Sequence, residues 1–169
     1  MKSGKSARNI PIIAALWLVW ALPNGWSAPL AQGDKAPDLK SYELLGQLPA
    51  TLQDKVVLLD FWASWCAPCK QSFPVMERLH QRYGKRGLVV IAVNVDEDAA
   101  EMQKFLRDRD VSFLIVRDAR QKLVERCAIQ TMPTSFLIDR SGVVKSVLNG
   151  FHKEKSEQEL ESQIQELLK

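Results

Sequence analysis

Cysteine and histidine are scarce in this chain, whose 169 residues include three cysteines and two histidines. The odd number of cysteines excludes a framework in which every cysteine is paired within the chain, and two of them, Cys66 and Cys69, are close neighbours. A structural zinc site would need two further ligands beside that pair. The remaining candidates, Cys127, His80 and His152, lie far apart in the sequence without ligand spacing, so we expect no metal site.

The chain also lacks an excess of charge outside its first residues. Its formal charge at pH 7 is +3, from 23 basic and 20 acidic side chains. Lys2, Lys5 and Arg8 account for this excess, because removing them leaves 20 charges of each sign. Equal numbers of acidic and basic side chains in the rest of the chain do not support binding to nucleic acid, which requires a basic surface. With 46% hydrophobic residues and no internal repeat, the rest of the chain has the size and composition of one globular domain.

The apolar stretch near the N-terminus is too short for an ordinary membrane span. It covers residues 10–22, whereas a membrane helix needs roughly 20 apolar residues. It follows basic residues and precedes small residues at Ser27 and Ala28, an order typical of an export signal. We predict that residues 1–28 form a cleaved export signal or an uncleaved signal anchor, with a buried helix as the third alternative. Either export interpretation places a domain at 33–169 in the periplasm or another oxidising, extracytoplasmic compartment.

The most informative feature that is present is a pair of cysteines at the predicted start of a helix. The apolar run at 56–61 predicts a buried strand, and the sequence Trp65-Cys66-Ala67-Pro68-Cys69-Lys70 follows it closely. Cys66 would lie at the helix N-terminus, where the helix dipole and free N–H groups stabilise a thiolate. Cys69 lies one turn later, close enough to form a disulfide. We therefore predict that Cys66 is an exposed nucleophile, more acidic than a free thiol, and that buried Cys69 resolves the mixed disulfide.

The hydrophobic pattern predicts a mixed sheet between helices. Continuous apolar runs at 56–61 and 88–95 indicate parallel strands covered on both faces, with a third parallel strand at 112–116. The other predicted elements, in chain order, are a short hairpin within 39–55, a helix at 67–83, a helix capped by Asp98, a short helix through 123–127, a hairpin of strands 134–138 and 143–148, and a final helix with a capping box made by Ser156 and Glu159. This order predicts an α/β domain whose mixed sheet is sandwiched by helices.

Two segments together resemble a known family. The run from Asp60 to Lys70, with Pro74 beyond it, resembles the active-site segment of thioredoxin. Met132-Pro133-Thr134 is similar to the cis-proline loop of that family, and residues 136–142 are similar to the hairpin that follows it.

Three further features resemble the extracytoplasmic TlpA/ResA-like branch of the thioredoxin superfamily. They are the export leader, the segment 36–38 (Ala-Pro-Asp) and an extra strand–helix unit at 96–116. The resemblance covers residues 33–168. It implies a thioredoxin-like three-layer α/β/α sandwich with a mixed sheet, an N-terminal hairpin extension and one inserted strand–helix unit.

The resemblance implies catalytic roles for three residues. The Cys66–Cys69 disulfide would be the redox group, with no other cofactor. Asp60 lies in an otherwise apolar strand, six residues before Cys66. A buried carboxylate there would have a raised pKa and could take the proton from Cys69 during resolution. The alternative for Asp60 is a carboxylate that reaches solvent at a strand end.

It also implies residues that bind substrate. Pro133 would be cis, with an ordinary trans proline as the alternative, and its loop would lie against the dithiol. The backbone of Met132 would pair with an extended substrate strand. Trp65 and Pro68, on either side of Cys66, would contribute to the same docking surface.

The function implied is that of a thiol–disulfide oxidoreductase that reduces disulfides of protein substrates outside the cytoplasm. Electrons would come from a membrane-embedded donor, and the domain would act as a monomer, with an N-terminal membrane anchor if the leader is kept. The alternatives are a disulfide-forming oxidant and a metal or haem chaperone that uses the cysteines as ligands. A peroxidase is disfavoured, because Ala63 occupies the position of the peroxide-polarising threonine.

Three positions depart from the branch. Members that reduce apocytochrome c commonly carry glutamate at the position of Ser72, and some carry an acid at that of Thr134. These differences weaken the prediction of a cytochrome-specific partner. Cys127 stands where relatives often have an aromatic residue, and we interpret it as a small core residue or as a regulatory thiol.

Overall fold

The computed structural model describes residues 28–169, so the predicted leader lies outside the described residues except for Ala28. The elements, in chain order, are strand β1 (Leu45–Gly46), β2 (Val56–Trp62), helix α1 (Ala67–Tyr83), β3 (Leu88–Asn94), α2 (Ala99–Arg107), β4 (Leu114–Arg117), α3 (Lys122–Cys127), β5 (Thr134–Ile138), β6 (Val144–Asn149) and α4 (Lys153–Leu167). Between residues 28 and 169, no helix is long and apolar enough to cross a lipid bilayer.

The six strands form one mixed sheet in the order β1-β4-β3-β2-β5-β6. β2 runs parallel to β3, and β3 runs parallel to β4, whereas the other neighbouring pairs are antiparallel. Every residue of β2 is buried, as the continuous apolar run predicted for a strand covered on both faces. The predicted thioredoxin-like fold with a mixed sheet is confirmed. α2 and β4 form the inserted unit, with the helix preceding the strand.

The hairpin predicted within 39–55 is not formed. The only strand in that segment, β1, pairs with β4 instead of with a neighbouring part of the segment. Gly46 has a φ of +130°, and a Cβ at this position would lie 2.7 Å from the carbonyl oxygen of Ile115. Gly46 is therefore required for the close approach of an edge strand to the inserted strand.

The start of α4 also differs from the prediction. Ser156 was expected to precede the helix as the first member of a capping box with Glu159, but α4 begins at Lys153. The Ser156 hydroxyl accepts a hydrogen bond from the backbone N–H of His152 at 2.9 Å. Because this serine satisfies a free N–H from inside the first turn, the helix extends further towards the N-terminus than the motif indicated.

An aromatic cluster fixes α1 to the sheet and to the inserted unit. Trp62 at the end of β2 is fully buried, and its ring centroid lies 4.7 Å from that of Phe73 on α1 and 4.7 Å from that of Phe105 on α2. Phe73 and Phe105 also contact each other, at 5.0 Å between centroids. Burial of side chains of this size stabilises the fold by about 1.5–3 kcal/mol each. The cluster therefore holds the helix that carries the cysteines in a defined position.

Candidate active site

The two cysteines of the predicted dithiol lie at the N-terminal end of α1 and form a disulfide, with their Cα atoms 5.3 Å apart. Cys66 is the N-cap residue of the helix, and its sulfur accepts a hydrogen bond from the backbone N–H of Cys69 at 3.1 Å. Pro68 lies in the first turn, where the absence of its N–H loses no helical hydrogen bond. After reduction, the same N–H and the positive end of the helix would stabilise a thiolate on Cys66.

Cys66 is less exposed than predicted. In the disulfide form only 4% of the residue is exposed, and Cys69 is fully buried. The reason is that the Cys66 sulfur turns towards the first helical turn and the N–H of Cys69 instead of towards solvent. Cys66 nevertheless lines a groove of about 490 Å³ together with Trp65, Ala67, Pro68 and residues 129–132. This dithiol groove is the route by which a substrate sulfur would reach Cys66.

Asp60 lies in the middle of β2 and is fully buried, so the alternative of a carboxylate that reaches solvent is wrong. Its direct partner across the β2–β5 pair is Ser135, whose hydroxyl donates a hydrogen bond to Oδ1 of Asp60 at 2.5 Å. Oδ2 has no hydrogen-bond partner among residues 28–169. Burial raises the pKa of Asp60 to about 7, and the hydrogen bond from Ser135 opposes part of that rise.

The loop that faces the dithiol contains a cis peptide bond between Met132 and Pro133, as the resemblance implied. The Pro133 carbonyl accepts a hydrogen bond from the N–H of Gly150 at 2.7 Å, and the Thr134 hydroxyl donates one to the Thr131 carbonyl at 2.8 Å. Within the described part of the chain, Met132 forms no backbone–backbone hydrogen bond. Its N–H and C=O are therefore free to pair with an incoming strand.

A second groove, of about 470 Å³, shares Trp65 and Met132 with the dithiol groove. Its acidic lining residues are Asp96, Glu97, Asp98 and Glu101. Two of these carboxylates have structural partners: Asp98 caps α2 through the N–H of Ala100, and Asp96 accepts hydrogen bonds from the N–H of Ser64 and from the side chain of Asn94. The grooves thus meet on either side of an exposed tryptophan, of which 70% is accessible.

Sequence analysis missed two residues of the site. Asp96 is buried and holds the backbone of Ser64, two residues before Cys66, with N–H to oxygen distances of 3.1 Å. A signal was present, because Asp96 closely follows β3 and the carboxyl ends of neighbouring parallel strands meet at one edge of the sheet. Ser135 gave no comparable signal, since its contact with Asp60 joins residues 75 positions apart.

All three residues at which the chain departs from the branch, Ser72, Thr134 and Cys127, are buried. The Ser72 hydroxyl donates a hydrogen bond to the Cys69 carbonyl at 3.0 Å. Cys127 is an unpaired, buried thiol in the core, and burial raises its pKa to about 11. Its carbonyl accepts a hydrogen bond from the N–H of Leu30 at 3.3 Å, and Leu30 is itself only 5% exposed. Leu30 and Cys127 line a groove of about 320 Å³ together with residues 128–131.

No group of three or more His, Cys, Asp or Glu side chains within residues 28–169 is arranged to hold a metal ion. Of the predicted site residues, Trp65, Cys66, Pro68 and Met132 line the dithiol groove. Pro133 adjoins the groove through Met132, and Cys69 is bonded to Cys66. Asp60 lies apart from this lining, inside the sheet.

Several known proteins are similar to this chain in sequence and in fold. The family model described as Redoxin matches residues 31–164. The thiol-disulfide oxidoreductase ResA of Geobacillus thermodenitrificans is 36% identical over 136 residues, covering 79% of this chain and 78% of the relative. ResA of Bacillus subtilis is 31% identical over 123 residues, covering 72% and 69%. A crystal structure from Chlorobium tepidum, assigned as a thiol:disulfide interchange protein DsbE, has a TM-score of 0.76 and 39% identity, covering 83% of this chain and 99% of that one.

Proposed function

This chain belongs to the redoxin family and is a thiol–disulfide oxidoreductase of thioredoxin-like fold, and from that premise we propose that it reduces disulfides of protein substrates outside the cytoplasm. The observation that carries the proposal is the Cys66–Cys69 disulfide at the N-terminus of α1, facing a groove that is bounded by the loop before Pro133.

Cys66 acts as the nucleophile in this mechanism. In the reduced protein its thiolate attacks one sulfur of a substrate disulfide, an S–S bond forms between Cys66 and the substrate, and the other substrate sulfur leaves as a thiolate that takes up a proton. Cys69 then loses its proton and attacks the Cys66 sulfur. The intramolecular disulfide forms and the second substrate thiolate departs, so two electrons pass to the substrate and the oxidised state is the one in the structure.

Asp60 is the proposed acceptor of the Cys69 proton. A buried carboxyl group whose pKa lies near 7 is partly ionised at neutral pH, so it can both take up and release a proton there. The unpartnered Oδ2 is the atom available for this exchange, because Oδ1 is bonded to Ser135.

The dithiol groove is the proposed docking site for an extended segment of the substrate. The free backbone groups of Met132 would pair with that segment in the manner of an added strand, which recognises main chain and so accepts many sequences. Trp65 and Pro68 are both exposed at the edge of the groove and would contact substrate side chains.

The small size of the inserted unit supports our proposal that electrons flow from this domain to its substrates. We place the domain in the periplasm, exported or anchored by residues 1–28, where net reduction requires a membrane-embedded electron donor. The inserted unit is a nine-residue helix and a four-residue strand, far smaller than the helical domain that dedicated oxidants of this superfamily usually carry. We propose that the domain works as a monomer and needs no cofactor beyond its own disulfide.

Insulin reduction in the presence of dithiothreitol tests the function. We expect Cys66→Ser to abolish turnover, Cys69→Ser to accumulate a mixed disulfide with the substrate, and the matched control Cys127→Ser to retain the wild-type rate. An unchanged rate in Cys66→Ser would refute the mechanism. Equilibration with glutathione then gives the direction, since a potential near about −270 mV supports a reductant and one near about −120 mV indicates an oxidant.

A further inference from the structure

Asp60 and Ser135 form a buried pair of polar side chains where β2 and β5 are hydrogen-bonded to each other. They are direct partners in the β2–β5 register, and the neighbouring pairs are Leu59 with Phe136 and Phe61 with Thr134. Asp60 is fully buried and Ser135 is 8% exposed. A buried hydroxyl without a partner is unfavourable, and the side-chain hydrogen bond of Ser135 goes to Asp60 Oδ1.

The two carboxyl oxygens of Asp60 differ in their hydrogen bonding. Oδ1 is held by the Ser135 hydroxyl at 2.5 Å, whereas Oδ2 has no partner among the described residues. A hydroxyl that donates to a carboxylate favours its ionised form, which burial alone would strongly disfavour. The bond therefore affects both which oxygen can exchange a proton and the pH at which it does so.

We propose that Ser135 is a positioning residue for the resolving step: its hydroxyl holds Oδ1 of Asp60, leaves Oδ2 as the proton-accepting atom and favours the ionised form of the carboxyl group. This inference rests on the role of Asp60 in the proposed function. Ser135 follows Pro133 by two residues, so the strand that continues from the substrate-binding loop also carries the group that holds the proton acceptor.

The test separates the two chemical steps. Stopped-flow reaction of the reduced protein with the aromatic disulfide 5,5′-dithiobis(2-nitrobenzoate) releases one thionitrobenzoate when Cys66 attacks and a second when Cys69 resolves the mixed disulfide. The second phase therefore reports resolution, and its pH midpoint reports the proton transfer. In parallel, ¹³C NMR of labelled aspartate measures the titration of the Asp60 carboxyl itself.

Ser135→Thr and Ser135→Val form a matched pair, because their side chains have similar volumes and differ by the hydroxyl. We expect Ser135→Val and Ser135→Ala to raise the midpoint of the second phase and of the carboxyl titration by about one pH unit. Ser135→Thr should keep both midpoints at the wild-type value, and the first phase should be unchanged in all three variants. A purely structural role would lower the unfolding midpoint without moving either titration.

The measurements distinguish a wrong inference about Ser135 from a wrong assignment of Asp60. If the carboxyl of Ser135→Val titrates at the wild-type midpoint, the inference about Ser135 is overturned. If the carboxyl midpoint moves but the second phase does not, Ser135 does not act on resolution and the inference is again overturned. The role of Asp60 in the proposed function is tested separately, because it fails if Asp60→Asn resolves at the wild-type rate across the whole pH range.

Discussion

The backbone N–H of Cys69 donates a hydrogen bond to the sulfur of Cys66 at 3.1 Å, so the first turn of α1 directs a donor at the atom that would carry negative charge. The third cysteine lies near the other end of a helix. Cys127 is close to the C-terminus of a short helix, is as buried as Cys66, and has its pKa raised to about 11 by burial. After reduction, the helix N-terminus would stabilise a thiolate on Cys66, whereas burial keeps Cys127 protonated.

This contrast predicts selective alkylation of the reduced protein. In a short pulse of iodoacetamide at pH 7, we expect Cys66 to react at least about 100-fold faster than Cys127, because the thiolate is the nucleophile and the Cys127 thiol stays protonated at that pH. Mass spectrometry of the digested protein measures both sites. In guanidinium chloride the two rates should become similar, whereas equal rates in the native protein would contradict the assignment.

The raised pKa of Asp60 should make the stability of the fold depend on pH. Its pKa in the folded state, about 7, is above the value of about 3.9 in an unfolded chain, so the stability it contributes is fully present below about pH 4 and is lost as the pH rises through 7. Relative to wild type, Asp60→Asn should therefore gain about 2–3 kcal/mol between pH 5 and pH 8.5. Urea unfolding of both oxidised proteins at the two pH values measures this difference. A difference that does not change with pH would show that Asp60 titrates normally.

Substitution of Trp65 should weaken substrate binding without reducing the stability of the fold. Its side chain is exposed at the dithiol groove, and Leu45 on edge strand β1 is a matched control with 56% exposure. Each alanine substitution should change the free energy of unfolding by no more than about 0.5 kcal/mol. Only Trp65→Ala should raise the KM for a protein disulfide, by about tenfold. Equal KM values for the two variants would remove Trp65 from the docking surface.

Substitution of Phe73, which lies on the same helix as the dithiol, should cause a large loss of stability. The residue is 1% exposed and contacts both Trp62 and Phe105, so Phe73→Ala should destabilise the fold by about 3–5 kcal/mol. The control is Lys70→Ala, an exposed position on α1 where we expect a change within about 0.5 kcal/mol. Denaturant unfolding of the two oxidised variants gives both values, and a loss below about 1 kcal/mol for Phe73→Ala would show that the cluster contributes little.

Local patterns were sufficient for the elements that are determined by neighbouring residues. The apolar runs of β2 and β3 predicted central parallel strands, and Asp98 predicted the cap of α2, since burial on both faces and a capping side chain leave direct marks in the sequence. The cysteine spacing likewise predicted a disulfide at the start of α1, and the structure contains it.

Features that depend on distant residues could not be predicted in the same way. The hairpin predicted within 39–55 is wrong because a glycine in a sequence marks either a turn or a close backbone approach, and only the pairing of Gly46 with β4 distinguishes the two. Nothing in the sequence links Ser135 to Asp60, because only the β2–β5 register places the two residues opposite each other. The burial of Cys66 depends on the direction in which its sulfur turns, which the residue spacing does not determine.

The contact between Leu30 and Cys127 has a practical consequence for expressing the isolated domain. Residues 129–131 line both the groove that Leu30 shares with Cys127 and the dithiol groove, so a single loop lies between Leu30 and the redox centre. The family match begins at residue 31, and a recombinant domain cut there would lack Pro29 and Leu30. It would lose the buried Leu30 side chain and the hydrogen bond from the Leu30 N–H to the Cys127 carbonyl, so the cloning boundary belongs before Pro29.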